Sequence, residues 1–150
     1  IDENGLRMCC THRRLFTQWA DQLLKNGENE KALAALNYCE QMIPAFNVPY
    51  DFQNGAFNMA EAFYKLGEKE KGDNIMDYLA KKASEYIIWY LSMNDQQVMV
   101  SYRDIGFNIS ILDECVRIME SYESALAPGY SSTLESLYQE FSTRFGQRRQ

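Results

Sequence analysis

The sequence predicts an all-α fold in which antiparallel helix pairs stack as a short solenoid of about six helices. Two observations predict it. The segment KNGENEK at residues 25–31 recurs 40 residues later as KLGEKEK at residues 65–71. In both copies, apolar residues recur with helical spacing on each side of the glycine. We therefore expect each copy to be a helical hairpin within one domain that spans residues 1–150.

The first hairpin is predicted to span about residues 14–44. Gly27 provides the left-handed backbone that ends its first helix, and Pro44 stops its second helix. The apolar faces of the two helices are expected at Leu15, Phe16, Trp19, Leu23 and Leu24, and at Ala32, Leu33, Leu36, Cys39 and Ile43.

The second hairpin is predicted at about residues 54–84, with its turn at Gly67. The chain between the hairpins is expected to loop out at residues 47–51. Pro49 disfavours helix just before it, and Asp51 can cap the helix that follows.

A long helical pair and a capping helix are predicted at about residues 73–146. Pro128 and Gly129 are expected to end the second long helix, and Gly106 to mark a close approach between helices. The facing seams are predicted at Met76, Leu79, Ala83, Tyr86, Tyr90 and Met93, and at Tyr102, Ile105, Ile109, Leu112, Val116 and Met119. Leu134, Leu137, Tyr138, Phe141 and Phe145 supply the capping helix. The bulky aromatics Trp19, Phe63, Tyr86 and Tyr90 are expected to fill space between helices.

The first hairpin resembles a tetratricopeptide repeat. Phe16 stands at the family's early aromatic position, and Trp19, Ala20 and Leu23 stand at its large-small-large positions. Gly27 stands at the turn, Ala32 at the small position where the helices cross, and Pro44 at the terminal proline. The second hairpin places Met59, Ala60, Phe63, Gly67, Gly72, Met76 and Leu79 equivalently. It departs in lacking an aromatic at Ala56 and a proline at Ser84, and the offset of 40 residues exceeds the family period of about 34.

This resemblance implies a partner-binding groove lined by the first helix of each hairpin, with a protein or peptide as its ligand. The implied groove residues are Arg14, Thr17, Asp21, Leu24, Lys25, Asn54, Phe57, Glu61, Tyr64 and Lys65. Their mixture of cations, carboxylates and aromatic rings suits a peptide better than a phosphate-rich polymer.

A second resemblance covers about residues 8–93. Residues 8–16, 27–32, 48–50 and 64–67, together with Pro44, look like the C-terminal soluble region of a bacterial family of multi-spanning membrane proteins of unassigned function. The membrane part of that family resembles glycosyltransferases of the protein O-mannosyltransferase type. The resemblance implies a soluble domain on the periplasmic side of the inner membrane, with any transferase activity in a membrane part outside this sequence.

The charge balance argues against two classes of partner. A formal net charge of -6 and a pI of about 4.8 provide no basic field for nucleic acid or for an anionic membrane surface. The longest apolar run, residues 86–91, is far shorter than the roughly 18 to 20 residues that span a bilayer, so membrane association is expected only through segments of the parent protein. The basic clusters Arg13-Arg14 and Arg144, Arg148 and Arg149 are interpreted as solvated helix ends.

No catalytic, metal or cofactor site is predicted. His12 is the only histidine, and Cys9 and Cys10 lie on the same helical turn, which leaves no separately positioned group to orient a Cys-His pair. Adjacent cysteines also lack the spacer of a zinc motif, and the scattered glycines form no phosphate-binding loop. The thiols of all four cysteines, Cys9, Cys10, Cys39 and Cys115, are expected on buried helix faces.

Two functions of different classes remain open at this stage. The domain is either a non-catalytic protein-interaction module or a structural end-piece that packs on its parent or dimerises through the long helices. Loss of a dimer on charge substitution at Ile109 or Leu112 would favour the second, whereas loss of helicity would place those residues in the core.

Overall fold

The computed structural model describes residues 1–146, and within that range the chain is all-helical, without β-strands. Its helices are α1 (Glu3–Lys25), α2 (Asn29–Met42), a short 3-10 helix (Phe52–Asn54), α3 (Ala56–Lys65), α4 (Lys69–Leu91), α5 (Asp95–Val100), α6 (Tyr102–Ser121) and α7 (Ala127–Gly146). The predicted all-α class is confirmed. The short α5 lies between the two predicted long-helix seams, where no helix was predicted. Arg148 and Arg149 lie outside the described residues.

The chain divides into two compact units, Ile1–Met76 and Asp77–Gln150, and α4 begins in the first unit and ends in the second. Each unit has its own buried apolar residues. No helix among residues 1–146 is both long enough and apolar enough to cross a membrane.

The repeated segment forms the same turn twice. Gly27 and Gly67 have φ angles of 76° and 79°, as predicted for helix C-terminal turns. The amide of Glu28 donates to the Leu23 carbonyl over 2.9 Å, and the amide of Glu68 donates to the Phe63 carbonyl over the same distance. The internal repeat is therefore a repeat of backbone geometry as well as of sequence.

The buried face of α1 differs from the predicted one. It consists of Arg13, Thr17, Ala20 and Leu23, which pack against the apolar face of α2. Trp19 is 55% exposed, so its predicted place in the core is wrong, and so is that of the exposed Leu15. The reason is that Arg13 and Thr17 satisfy their polar atoms through hydrogen bonds to backbone carbonyls, which lets a mixed polar and apolar stripe face inward.

In the second unit, α6 packs against α7, and the predicted α6 seam is buried from Ile105 to Met119. Only Tyr102 leaves that seam, since half of it is exposed. On α4 the inward positions are Leu79, Ala80, Ala83, Ser84, Ile87 and Leu91. The predicted placement of Tyr86 in the core is wrong, because the buried face of α4 passes through Ala83, Ile87 and Leu91 at intervals of four residues, which leaves Tyr86 46% exposed.

Helix α7 also contacts α4. The Tyr130 hydroxyl donates to the Asp77 carboxylate over 2.6 Å, and Arg144 donates to the Leu91 carbonyl. Because both pairs are 53 residues apart, α7 runs parallel to the second half of α4. Pro128 lies in the first turn of α7, where its missing N–H leaves no hydrogen bond unmade, so the prediction that it ends the preceding helix is wrong.

Candidate partner-binding cleft

A shallow cleft of about 410 Å³ lies between α1 and α3. Its lining residues are Asp21, Leu24, Lys25, Asn58, Glu61 and Lys65. Arg14 lies beside Gly55 at the start of α3, and Asp21, two turns further along α1, lies near Lys65 at the end of α3. The two helices therefore run parallel. The repeated hairpin produces this arrangement, because it places the first helix of each copy side by side.

The cleft has two rows of opposite charge. Asp21 and Glu61 occupy equivalent positions 40 residues apart, and so do Lys25 and Lys65 one helical turn later. Within residues 1–146, none of these four side chains makes an ion pair or a side-chain hydrogen bond. The two carboxylates and two ammonium groups are therefore available to a ligand.

Partial burial raises the pKa of Asp21 above its ordinary value, against the lowering effect of the nearby Lys65 and Lys25 ammonium groups. The carboxylate thus lies in a less polar setting than a fully exposed acid. The attraction between this carboxylate and a cation of a ligand would therefore be less screened than in bulk water.

Two of the sequence-predicted groove residues do not line a groove. Thr17 is buried, and its hydroxyl donates to the Arg13 carbonyl over 2.9 Å. Tyr64 is only 8% exposed, and its hydroxyl donates to the Asp73 carboxylate over 2.6 Å. The Tyr64 ring lies against Gly72 and fits there because glycine has no Cβ.

The other eight predicted residues divide into five that line the cleft and three that lie outside it. Asp21, Leu24, Lys25, Glu61 and Lys65 meet in the cleft. Arg14 is exposed beside Gly55 at the start of α3, the Asn54 amide donates to the Asp51 carboxylate, and Phe57 is half-buried in the first turn of α3. Asn58 was not predicted, although it lies three residues before Glu61 on α3 and therefore on the same side of that helix.

The predicted solvent exposure of Arg13 is wrong. Its guanidinium donates to the carbonyls of Ile43, Val48 and Pro49 over 3.0, 2.6 and 3.1 Å and lies 4.9 Å from the centre of the Tyr50 ring. Burial raises the pKa of Tyr50 to about 12. Arg13 therefore fixes the loop between the two hairpins and is not available to a ligand.

An aromatic surface lies on α1 and α2. Phe16 is 6.2 Å from Trp19 and 5.7 Å from Tyr38 between ring centres, and the three rings border a depression of about 520 Å³ with Ala34 and Ala35. Trp19 and Tyr38 are both more than half exposed. These rings pack on one another at the surface of the hairpin, outside its core.

The cysteines and the histidine are dispersed. His12 is exposed. Cys39 and Cys115 are buried as predicted, whereas Cys9 and Cys10 are only half-buried, so their predicted burial is wrong. Burial raises the pKa of the Cys39 thiol to about 11 and also raises that of Cys10. Among residues 1–146, no three His, Cys, Asp or Glu side chains come together as a set that could hold a metal ion.

No protein-family model, curated protein or solved structure matches this chain. The resemblances to tetratricopeptide repeats and to a bacterial membrane-protein family thus stay predictions from the sequence.

Proposed function

We propose that this domain is a non-catalytic protein-interaction module, which holds a peptide segment in the cleft between α1 and α3. The observation that carries the proposal is the double row of unpaired charges, with Asp21 and Glu61 in one row and Lys25 and Lys65 in the other. Because these carboxylates and ammonium groups do not pair with each other, both can pair with charged groups of a partner.

The preferred ligand is a segment with one cationic and one anionic side chain about 6 Å apart, which is the spacing of one helical turn or of alternate residues on a strand. The cation would contact the Asp21 row, and the anion would contact the Lys65 row. Leu24 offers an apolar contact between the rows, and the Asn58 amide can both donate and accept a hydrogen bond. Because the cleft is small and open, we expect modest affinity unless the partner is tethered.

The parentage of the domain is also part of the proposal, and it rests on the sequence resemblance alone. The domain would lie on the periplasmic side of a bacterial membrane glycosyltransferase-like protein, where it would dock a protein substrate or assemble a glycan-related complex. The alternative, a dimerisation end-piece, has less support because Leu112 is fully buried and Ile109 nearly so, which leaves little of either residue for a second copy to contact.

The test is selection from a random peptide library displayed on phage, followed by affinity measurement with synthetic versions of the selected peptides. We expect the peptides to carry both charge signs and to bind the K25E/K65E variant at least tenfold more weakly, a loss of about 1.4 kcal/mol. The matched control is K81E/K82E, which makes the same charge change on the exposed face of α4. It should bind within twofold of the unmodified chain.

An equal loss of affinity in the two variants would mean that binding depends only on the net charge of the chain. No loss of affinity in K25E/K65E would mean that the binding site lies elsewhere. Failure of the library to yield any binder would also contradict the proposal. Tyr64→Ala is not a suitable variant, because the Tyr64 ring is buried and its removal would disturb the packing of α3 on α4.

A further inference from the structure

A second cleft, of about 500 Å³, lies between α6 and α7. Its lining residues are Ile109, Ser110 and Asp113 from α6, and Ser131, Leu134, Glu135 and Tyr138 from α7. The half-buried Leu134 supplies aliphatic surface, the edge of the largely buried Ile109 lies at its base, and the exposed Tyr138 ring borders it. An aromatic side chain beside aliphatic surface is a common anchor for a protein partner.

The charges of this cleft have one sign. Asp113 projects from α6 and Glu135 from α7, and both are exposed. Neither makes an ion pair or a side-chain hydrogen bond within residues 1–146. The nearby Arg117 does not neutralise Asp113, because its guanidinium is paired with the carboxylate of Glu114.

Contacts elsewhere in the unit hold the two walls in place. Leu112 and Leu137 are buried in α6 and α7. At one end of the helix pair, the Tyr102 ring lies 5.4 Å from that of Phe141 and 4.8 Å from that of Phe145. A cleft formed by two fixed helices is ordered before a ligand arrives, which lowers the entropic cost of binding.

We infer that this cleft is a docking site, separate from the α1–α3 cleft, for a basic amphipathic segment that inserts an aliphatic side chain flanked by lysine or arginine. Charge complementarity selects this occupant. The aliphatic residue packs on Leu134 and the Tyr138 ring, and the flanking cations face Asp113 and Glu135. A second copy of this chain is a poor occupant, because its net charge is -6.

The test uses two fluorescein-labelled synthetic peptides of about 14 residues, a length at which helix formation is possible. One is composed of leucine, alanine and lysine in an amphipathic helical order, and the other has glutamate in place of every lysine. Fluorescence anisotropy at low and at physiological salt measures their affinity for the full chain. We expect the lysine peptide to bind, with an affinity that falls as salt rises, and the glutamate peptide not to bind.

The D113K/E135K variant should bind the lysine peptide at least tenfold more weakly and should gain binding of the glutamate peptide. The control is E120K/E140K, which makes the same charge change at exposed positions of the same two helices and should stay within twofold. Circular dichroism must give equal helicity for all three proteins.

Equal loss in both variants would mean that the peptide responds only to the acidity of the whole chain, and would overturn the inference. Absence of binding to the unmodified chain would overturn it as well. The K25E/K65E variant should bind the lysine peptide at least as well as the unmodified chain, so the result does not depend on the function proposed for the α1–α3 cleft.

Discussion

At the scale of single residues, two arginines bind backbone carbonyls at the ends of helices and in the loops that follow them. Arg13 donates to three carbonyls of the loop that follows α2, and Arg144 donates to the carbonyls of Leu91 and Met93 at the end of α4. The last carbonyls of a helix lack partners within the helix and carry partial negative charge. A guanidinium can satisfy several of them at once because it presents five donors in one plane.

Removal of the Arg13 side chain should destabilise the fold strongly. In R13M, the three carbonyls lose a charged donor in a region with little water, and we expect the free energy of unfolding to fall by about 3 kcal/mol. The neighbouring R14M is the control, because Arg14 is exposed and its loss should cost under about 0.5 kcal/mol. Urea unfolding followed by circular dichroism measures both, and similar values for the two variants would contradict this account of Arg13.

At the scale of helices and turns, the sequence repeat predicts the architecture better than it predicts the inward faces. Gly27 and Gly67 could be assigned to left-handed turns because only a few residues tolerate that backbone. Trp19 was assigned to the core because hydrophobic periodicity treats a large ring as buried, whereas Arg13 and Thr17 occupy that face through hydrogen bonds that a linear pattern does not reveal.

The candidate site was predictable to a similar extent. Repeat positions placed Asp21, Lys25, Glu61 and Lys65 on adjacent helices, and the structure brings them to one cleft. Tyr64 was misplaced because its burial depends on the missing side chain of Gly72, eight positions away on another helix. The α6–α7 cleft carried no motif, since two acids on different helices have no characteristic spacing.

Two glycines inside helices should respond to alanine with opposite sign. A Cβ at Gly72 would lie 2.7 Å from the Tyr64 ring, so G72A must displace the ring and its hydrogen bond to Asp73. We expect a loss of about 1 to 3 kcal/mol in the free energy of unfolding.

At Gly106 a Cβ would meet no neighbouring atom of residues 1–146 within 4 Å, so the predicted close helix approach there is wrong. G106A should therefore stabilise α6 by about 1 kcal/mol through higher helix propensity. Thermal or urea unfolding of G72A and G106A measures both changes in the free energy of unfolding. Destabilisation by G106A would reveal a close contact at α6, and a neutral G72A would mean that the Tyr64 ring moves at no cost.

At the scale of the whole molecule, α4 connects two compact units without interruption. Met76 is buried in the first unit and Ile87 in the second, and both lie on this one helix. Helix formation is cooperative along a continuous segment, so loss of α4 in one unit should weaken it in the other. Each unit also contains a buried cysteine that can report its opening, Cys39 in the first and Cys115 in the second.

The two buried thiols should become reactive over the same range of urea. Burial raises the pKa of Cys39 to about 11 and that of Cys115 to about 12, so at pH 8 both are almost entirely protonated and shielded, whereas Cys9 and Cys10 are partly accessible. A raised pKa in the folded state stabilises the fold below the ordinary thiol pKa of 9.0, and this contribution is lost as the pH rises towards 11 and 12. Labelling at pH 8 therefore avoids that loss.

Mass spectrometry after brief alkylation gives the labelled fraction of each cysteine at each urea concentration, with C39A and C115A variants to assign the signals. Coincident midpoints for Cys39 and Cys115 are expected if α4 couples the two units. Midpoints that differ clearly would show that the units open separately, and each would then have to be stabilised by its own packing alone. In that case a ligand of the α1–α3 cleft should protect Cys39 and leave Cys115 unchanged, because binding stabilises only the unit that contains the site.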